Sequence, residues 1–142
     1  MADISITPGN VIAASGAVKE QGTAGATITA GQVVYKDASD SDKFKLIDHE
    51  DAASDAIYGV ALNGASNGQP LFVHTAGDLN PGATVIVGEI YCASGSVGTG
   101  NNAGGIMPEG DLASGDFVSV LGIGTTSSNI AVKINNSGVA VP

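Results

Sequence analysis

The chain has 142 residues, enough for one domain, and carries a net charge of −9 with no Arg and no Trp. The negative net charge argues against nucleic acid or an anionic membrane surface as a partner, because like charges repel. No apolar run reaches the ~20 residues of a membrane-spanning helix. With 43% hydrophobic and 13% charged residues the chain should fold, while an aromatic content of 4% argues against a deep ligand pocket.

Residues 1–26 are predicted to form an extended N-terminal arm with one or two short strands. Apolar residues are spaced there among Gly, Ser, Thr and Ala, and Pro8-Gly9 interrupts them. The alternative, a strand of the core sheet, is equally compatible with this pattern. Asp3 stands where a signal peptide would carry positive charge, so we expect synthesis in the cytoplasm of the cell.

Residues 27–142 are predicted to form a β-rich domain. Short runs rich in Val and Ile alternate with turn residues, which favours an all-β fold: a small β-sandwich or barrel of short antiparallel strands. At most, Asp48–Ala56 and Gly110–Ser114 should form a helical turn or two. The predicted strands are Gln32–Tyr35, Phe44–Ile47, Ile57–Leu62, Leu71–His74, Thr84–Val87, Ile90–Cys92, Phe117–Ile123, Ile130–Ile134 and Val139–Val141.

A weak internal echo suggests two related β units, about 27–79 and 80–142. Gly31-Gln32-Val33 matches Gly88-Glu89-Ile90 at an offset of 57 residues, and Gly59-Val60 matches Gly122-Ile123 at an offset of 63. Two packed copies of one unit would explain the echo, and so would chance in a chain rich in Gly and Val.

Candidates for catalytic chemistry each have a structural interpretation that we favour. His49 lies in the acidic run Asp48–Asp51 and is expected to be a solvated loop residue, while His74 is expected at a surface or edge position of a strand. Cys92 is the only cysteine and is expected to be a small buried hydrophobic residue. We therefore predict no catalytic residues and no enzymatic activity.

Carboxylates cluster in one loop, at Asp37, Asp40 and Asp42, and oxygen ligands of this kind suit Ca²⁺. The spacing does not match a helix-loop-helix calcium motif, since no central Gly is present and two Lys follow at once. The favoured interpretation is a solvated hairpin between Tyr35 and Phe44, although cation binding there stays open. No metal or cofactor is predicted.

Several segments of the chain read as β-hairpin motifs. They are Thr27-Ile28-Thr29-Ala30-Gly31-Gln32-Val33-Val34-Tyr35, Phe44-Lys45-Leu46-Ile47, Tyr58-Gly59-Val60-Ala61-Leu62-Asn63-Gly64-Ala65, Gly104-Gly105-Ile106-Met107-Pro108, Asp111-Leu112-Ala113-Ser114-Gly115-Asp116-Phe117-Val118 and Val120-Leu121-Gly122-Ile123. Together they resemble the small head decoration, or cement, proteins of tailed bacteriophages, and the likeness covers most of residues 22–142.

The resemblance implies a structural virion protein on the outer surface of an icosahedral capsid, where it clamps neighbouring major capsid subunits and stabilises the shell. It also implies a homo-oligomer, with a trimer preferred and a dimer next. Because an extended arm can add to a neighbour as a strand, four apolar residues of the arm are predicted to carry part of the interface: Ile4, Ile6, Val11 and Ile12.

Two other functions compete with this one. A receptor-binding or fibre component of the virion would be revealed by binding to carbohydrate or to cells, and the lack of Trp argues against it. A hydrolase or metal-dependent enzyme on a small β-barrel would be revealed by stabilisation with calcium, or by loss of an activity when His74 or Cys92 is replaced.

Overall fold

The computed structural model describes residues 3–97 and 100–142. Within these ranges the regular secondary structure is nearly all β, as the sequence predicts. The strands form one curled antiparallel sheet that makes a half-barrel. Its described strands are β1 (Val11–Ala13), β2 (Val18–Thr23), β3 (Val33–Asp37), β4 (Lys43–Leu46), β5 (Gly59–Ala61), β6 (Pro70–Pro81), β7 (Ile90–Ala93), β8 (Ile106–Pro108), β9 (Phe117–Gly124) and β10 (Ile130–Ala140). In the same part of the chain the structure has three 3₁₀ turns: Pro8–Asn10, Ala38–Asp40 and Glu109–Asp111.

Turn residues set the ends of the strands. Asp37 ends β3, where its carboxylate accepts a hydrogen bond from the N–H two residues on, and Ser41 has a left-handed φ of 55° where the chain turns into β4. Between β5 and β6, Asn63 Oδ1 accepts a hydrogen bond from the Phe72 N–H, and Gly68 has a φ of 89° that favours glycine. The two Asn-Gly pairs of the sequence, Asn63-Gly64 and Asn67-Gly68, therefore lie in the connection between these strands.

The described part of the predicted arm, residues 3–26, is extended apart from the 3₁₀ turn Pro8–Asn10, and part of it belongs to the sheet. β1 and β2 both pair antiparallel with β6, with Val11 opposite Pro81 and Thr23 opposite Pro70. For these two strands, the alternative of a strand in the core sheet is the one observed.

Strands β3–β6 and β7–β10, which we call the first unit and the second unit, share one pattern of pairing. In the first unit β3 pairs with β4 and β5, and β5 pairs with β6; in the second, β7 pairs with β8 and β9, and β9 pairs with β10. The register agrees residue by residue, because Val33 faces Val60 and Val34 faces Gly59 in the first unit, while in the second Ile90 faces Ile123 and Tyr91 faces Gly122. These pairs carry the offsets of 57 and 63 residues seen in the sequence.

Two hydrophobic clusters lie on opposite sides of the first unit. The larger fills the space between the units and includes Val33 and Val60 from the first with Tyr91, Leu121 and Ile130 from the second. The smaller lies on the other side of the first unit, where the segment around Ala24 and Ile28 covers it; its remaining members are Val34, Phe44, Ala61, Ala65, Leu71 and Val73. The first unit is therefore covered on both faces.

Two predicted strands differ from the structure. Thr84–Val87 is not a strand, because its backbone bonds go elsewhere: the Val85 N–H donates to the Ser127 carbonyl and the Ile86 N–H to the Tyr91 hydroxyl. Val139–Val141 is not separate either, since β10 continues through two irregularities in its pairing with β9 and ends at Ala140.

Candidate functional site

Both histidines are buried, so the expectation of solvated or edge positions is wrong. His74 lies in the middle of β6, between β2 and β5, and its Nε2 is 2.8 Å from the Gly77 carbonyl oxygen. His49 follows β4, and its backbone joins two other segments: its N–H donates to the Ser94 carbonyl, and its carbonyl accepts from the Phe117 N–H. These backbone bonds hold the ring of His49 inside the protein, despite its acidic sequence neighbours.

Cys92 is fully buried in β7, as the sequence predicts. Burial, with a further contribution from the charge of Glu109, raises the pKa of its thiol to about 11. A thiol in this environment stays protonated near neutral pH, which makes it a poor nucleophile.

The acidic hairpin joins β3 to β4 between Tyr35 and Phe44, as expected, and two lysines compensate its charge. Lys45 Nζ lies 2.7 Å from Asp37 Oδ2 and 3.1 Å from Asp40 Oδ2, and Lys43 Nζ lies 3.7 Å from Asp40 Oδ1. Hydrogen bonds from Lys45 and Ser39 lower the pKa of Asp37 to about 2. The lysine ammonium groups occupy the position that a cation would take beside Asp37 and Asp40.

An exposed apolar surface lies on the side of the second unit that faces away from the first, and we call it the outer face. Cross-strand partners lie on the same side of a sheet, so Ile90, Ile123, Ala131 and Asp78 form one row across it. Ile90 is 37% exposed and Ile123 is 48% exposed. Next to Ile123 is a shallow hollow whose lining includes Val120, Ala131, Lys133 and Ile134.

The outer face corresponds to a buried face of the first unit. Val33 and Val60 hold the positions equivalent to Ile90 and Ile123, and both are fully buried beneath the second unit. One face is thus covered by the chain itself, and its counterpart, built from equally apolar residues, meets solvent. Exposed contiguous apolar surface of this kind is typical of protein-binding sites.

The four residues predicted for the capsid interface divide into two groups. Ile4, Ile6 and Val11 are partly buried and pack against the larger hydrophobic cluster. Ile12 is 58% exposed and lies opposite Asn80, two residues beyond Asp78 on β6, which places it on the same side of the sheet as the outer face. Among the four, Ile12 is therefore the residue whose side chain is available to a partner.

Sequence reasoning placed Ile90 and Ile123 in strands and did not identify them as exposed residues. The internal echo aligns them with Val33 and Val60, but it could not show which pair is exposed. Units packed about a two-fold axis bury both pairs between them, whereas units stacked in the same sense bury one pair and expose the other.

Within the described ranges no helix is long and apolar enough to cross a membrane. No protein-family model, curated protein or solved structure matches the chain. The functional interpretation therefore depends on the residues of the outer face and on the resemblance carried by the hairpin motifs.

Proposed function

We propose that this protein is a structural component of a tailed-phage virion that binds the outside of the icosahedral capsid and stabilises contacts between major capsid subunits. The observation that carries the proposal is the outer face, where Ile90 and Ile123 are exposed and Ile12 extends the surface on the same side of the sheet.

The outer face supplies a favourable free energy of binding. Burial of apolar surface contributes about 25 cal/mol per Å², and aliphatic side chains on paired strands offer such surface in a fixed geometry. The face is modest and lacks the Trp and Arg anchors of tight interfaces, so each copy should bind weakly. Many copies on one shell make weak sites sufficient, because each one binds only the assembled arrangement and shifts the equilibrium towards it.

The charge of the chain suits a position on the outside of a particle. Acidic residues outnumber lysines by 14 to 5. A particle coated with many acidic copies repels its neighbours over roughly a Debye length, about 10 Å at moderate salt, which limits aggregation. We include in the proposal the homo-oligomer that the resemblance implies, with a trimer preferred because it suits sites of local three-fold symmetry.

The experiment compares two variants for binding to capsids that lack the protein. Ile123→Asp places a charge in the middle of the outer face, whereas Val139→Asp places the same charge eight residues beyond Ala131, at a side chain that is 64% exposed. We expect Ile123→Asp to weaken capsid binding about tenfold or more, measured as cryo-electron microscopy occupancy against protein concentration, and Val139→Asp to leave it unchanged.

Ile12→Asp is a second test, and it is cleaner than deleting the arm. Deletion of residues 1–20 would also remove β1, part of β2 and the core contacts of Ile4, Ile6 and Val11. Light scattering on each variant separates two causes of lost binding. If Ile123→Asp binds capsids as well as the unmodified protein does, or if it fails only because an oligomer has dissociated, the outer face is not the capsid-binding surface.

A further inference from the structure

The side chain of His49 is 1% exposed, and neither of its ring nitrogens has a hydrogen-bond partner among the described residues. Leaving a buried polar group unsatisfied costs about 1–3 kcal/mol, so such groups are uncommon in native structures. His74 differs in degree, since its Nε2 lies 2.8 Å from the Gly77 carbonyl oxygen and only its Nδ1 is without a hydrogen-bond partner among the described residues. A ligand from outside the polypeptide would therefore satisfy a ring nitrogen of His49 that the described residues leave without a hydrogen bond.

Carboxylates surround the unsatisfied ring. Asp48, His49 and Glu50 each offer a ligand atom, and these atoms all lie within 4.8 Å of one another. Glu50 Oε1 is 4.0 Å from His49 Nδ1, and Asp116 Oδ1 is 3.6 Å from the same nitrogen. A tetrahedral ion about 2 Å from each ligand atom needs those atoms about 3.3 Å apart, so the three side chains would close around the ion by up to about 1.5 Å.

Neighbouring groups hold the two carboxylates in place. The Ser96 hydroxyl lies 2.9 Å from Asp48 Oδ2 and 3.1 Å from Glu50 Oε2, and the Val97 N–H donates to Glu50. Bonds of this kind orient metal ligands in known sites and increase their affinity.

Gly95 leaves space beside the ring. A Cβ on this residue would lie 2.7 Å from Asp48 Oδ1 and 2.8 Å from His49 Nδ1. The point next to both ligand atoms is therefore free of side chain because residue 95 is glycine.

We propose that Asp48, His49 and Glu50 form a binding site for a divalent transition-metal ion of the zinc class, with His49 Nδ1 and one oxygen of each carboxylate as ligands. An imidazole nitrogen combined with carboxylates suits Zn²⁺, whereas Ca²⁺ and Mg²⁺ prefer oxygen ligands alone. Three protein ligands leave the fourth tetrahedral position for water.

The bound ion would connect segments that are far apart in the sequence. His49 is bonded through its backbone to Ser94, at the end of β7, and to Phe117, at the start of β9, while Ser96 and Val97 contact the carboxylates. The site therefore stabilises the loop after β4 against the second unit, and it is independent of the capsid-binding proposal.

The test titrates Zn²⁺ into chelator-treated full-length protein by isothermal titration calorimetry, with Mg²⁺ and Ca²⁺ in parallel. We expect one Zn²⁺ per chain, weaker or no binding of the other two ions, and a rise in the melting temperature of several degrees when Zn²⁺ exceeds its Kd about 100-fold. Glu50→Gln keeps the shape of the ligand and removes its charge, and it should weaken Zn²⁺ binding about tenfold or more.

Glu109→Gln is the matched control, since it removes one exposed carboxylate from a 3₁₀ turn outside the proposed ligand set and should leave the Kd for Zn²⁺ unchanged. Gly95→Ala fills the free space without removing a ligand and should also abolish binding. The proposal is overturned if Zn²⁺ does not bind, if Glu50→Gln and Glu109→Gln bind it equally, or if Ca²⁺ or Mg²⁺ binds as tightly.

Discussion

At the scale of single residues, Lys45 has the largest effect on the acidic hairpin between β3 and β4. Its ammonium group bridges Asp37 and Asp40, and its own pKa is raised by these two carboxylates. The pKa of Asp37 is lowered to about 2, mainly by the hydrogen bond from Lys45 and to a smaller extent by the hydrogen bonds from Ser39. The two side chains are partly exposed, 29% for Lys45 and 17% for Asp37, so the contribution of the pair to stability should be modest, should weaken at high salt and should depend on pH.

The pH dependence has a definite sign. Asp37 has a lower pKa in the folded protein, about 2, than the value of about 4 expected for an unfolded chain, so it stabilises the native state above pH 4 and loses that contribution as the pH falls towards 2. We expect Asp37→Asn to flatten the fall in the free energy of unfolding between pH 4 and pH 2, measured by urea denaturation at a series of pH values.

Lys45→Met provides the control, because it removes the main partner of Asp37. In that background, Asp37→Asn should change the pH profile little. An Asp37→Asn protein that keeps the full slope between pH 4 and pH 2 would show that other carboxylates determine the acid sensitivity.

At the scale of elements, two glycines hold the same place in the two units. Gly59 in β5 faces Val34, and Gly122 in β9 faces Tyr91. A Cβ on Gly59 would lie 2.4 Å from the His74 carbonyl oxygen, and one on Gly122 would lie 2.1 Å from the Ala131 carbonyl oxygen. The neighbouring strand thus approaches too closely for any side chain, and it does so at equivalent residues of both units.

We expect Gly59→Ala and Gly122→Ala to destabilise the protein by about 1–3 kcal/mol each, because backbone must move to admit the methyl group. Gly110→Ala is the matched control, since a Cβ there has no heavy atom within 4 Å in the described structure. Chemical denaturation measures all three. A stability of Gly59→Ala or Gly122→Ala equal to that of Gly110→Ala would contradict the close approach of the strands.

Most strands could be predicted from the sequence, because Val- and Ile-rich runs end at residues such as Asp37 and Asn63 with clear turn chemistry. The exact ends of the strands, and which strands pair with one another, could not be predicted from the sequence. The run at Thr84–Val87 has strand composition but donates its backbone bonds to a loop and to a tyrosine hydroxyl. The burial of His49 could not be predicted either, because its backbone hydrogen bonds are made with Ser94 and Phe117, which lie at least 45 residues away along the chain.

At the scale of the whole molecule, the two units are stacked in the same sense, so that a face of the first is buried and the equivalent face of the second is exposed. Val33 and Val60 meet the second unit, whereas Ile90 and Ile123 meet solvent. The other side of the first unit is closed by the segment around Ala24 and Ile28. The stack therefore ends in one covered face and one apolar face, and the latter carries the proposed binding function.

This asymmetry makes the proposed protein binding compatible with a high net negative charge. Charge repels other particles at a distance, and the apolar outer face acts only on contact. The pattern of the arm alone predicted Ile12 as an interface residue; the other two residues of the surface, Ile90 and Ile123, become visible only when the strands are paired.

The most direct test of the central claim is the copy number of this protein in purified phage particles, measured by quantitative mass spectrometry against the major capsid protein. A decoration protein that clamps neighbouring subunits should be present at a ratio near one copy per major capsid subunit. Its absence from particles, or its presence at only a handful of copies per particle, would contradict the account.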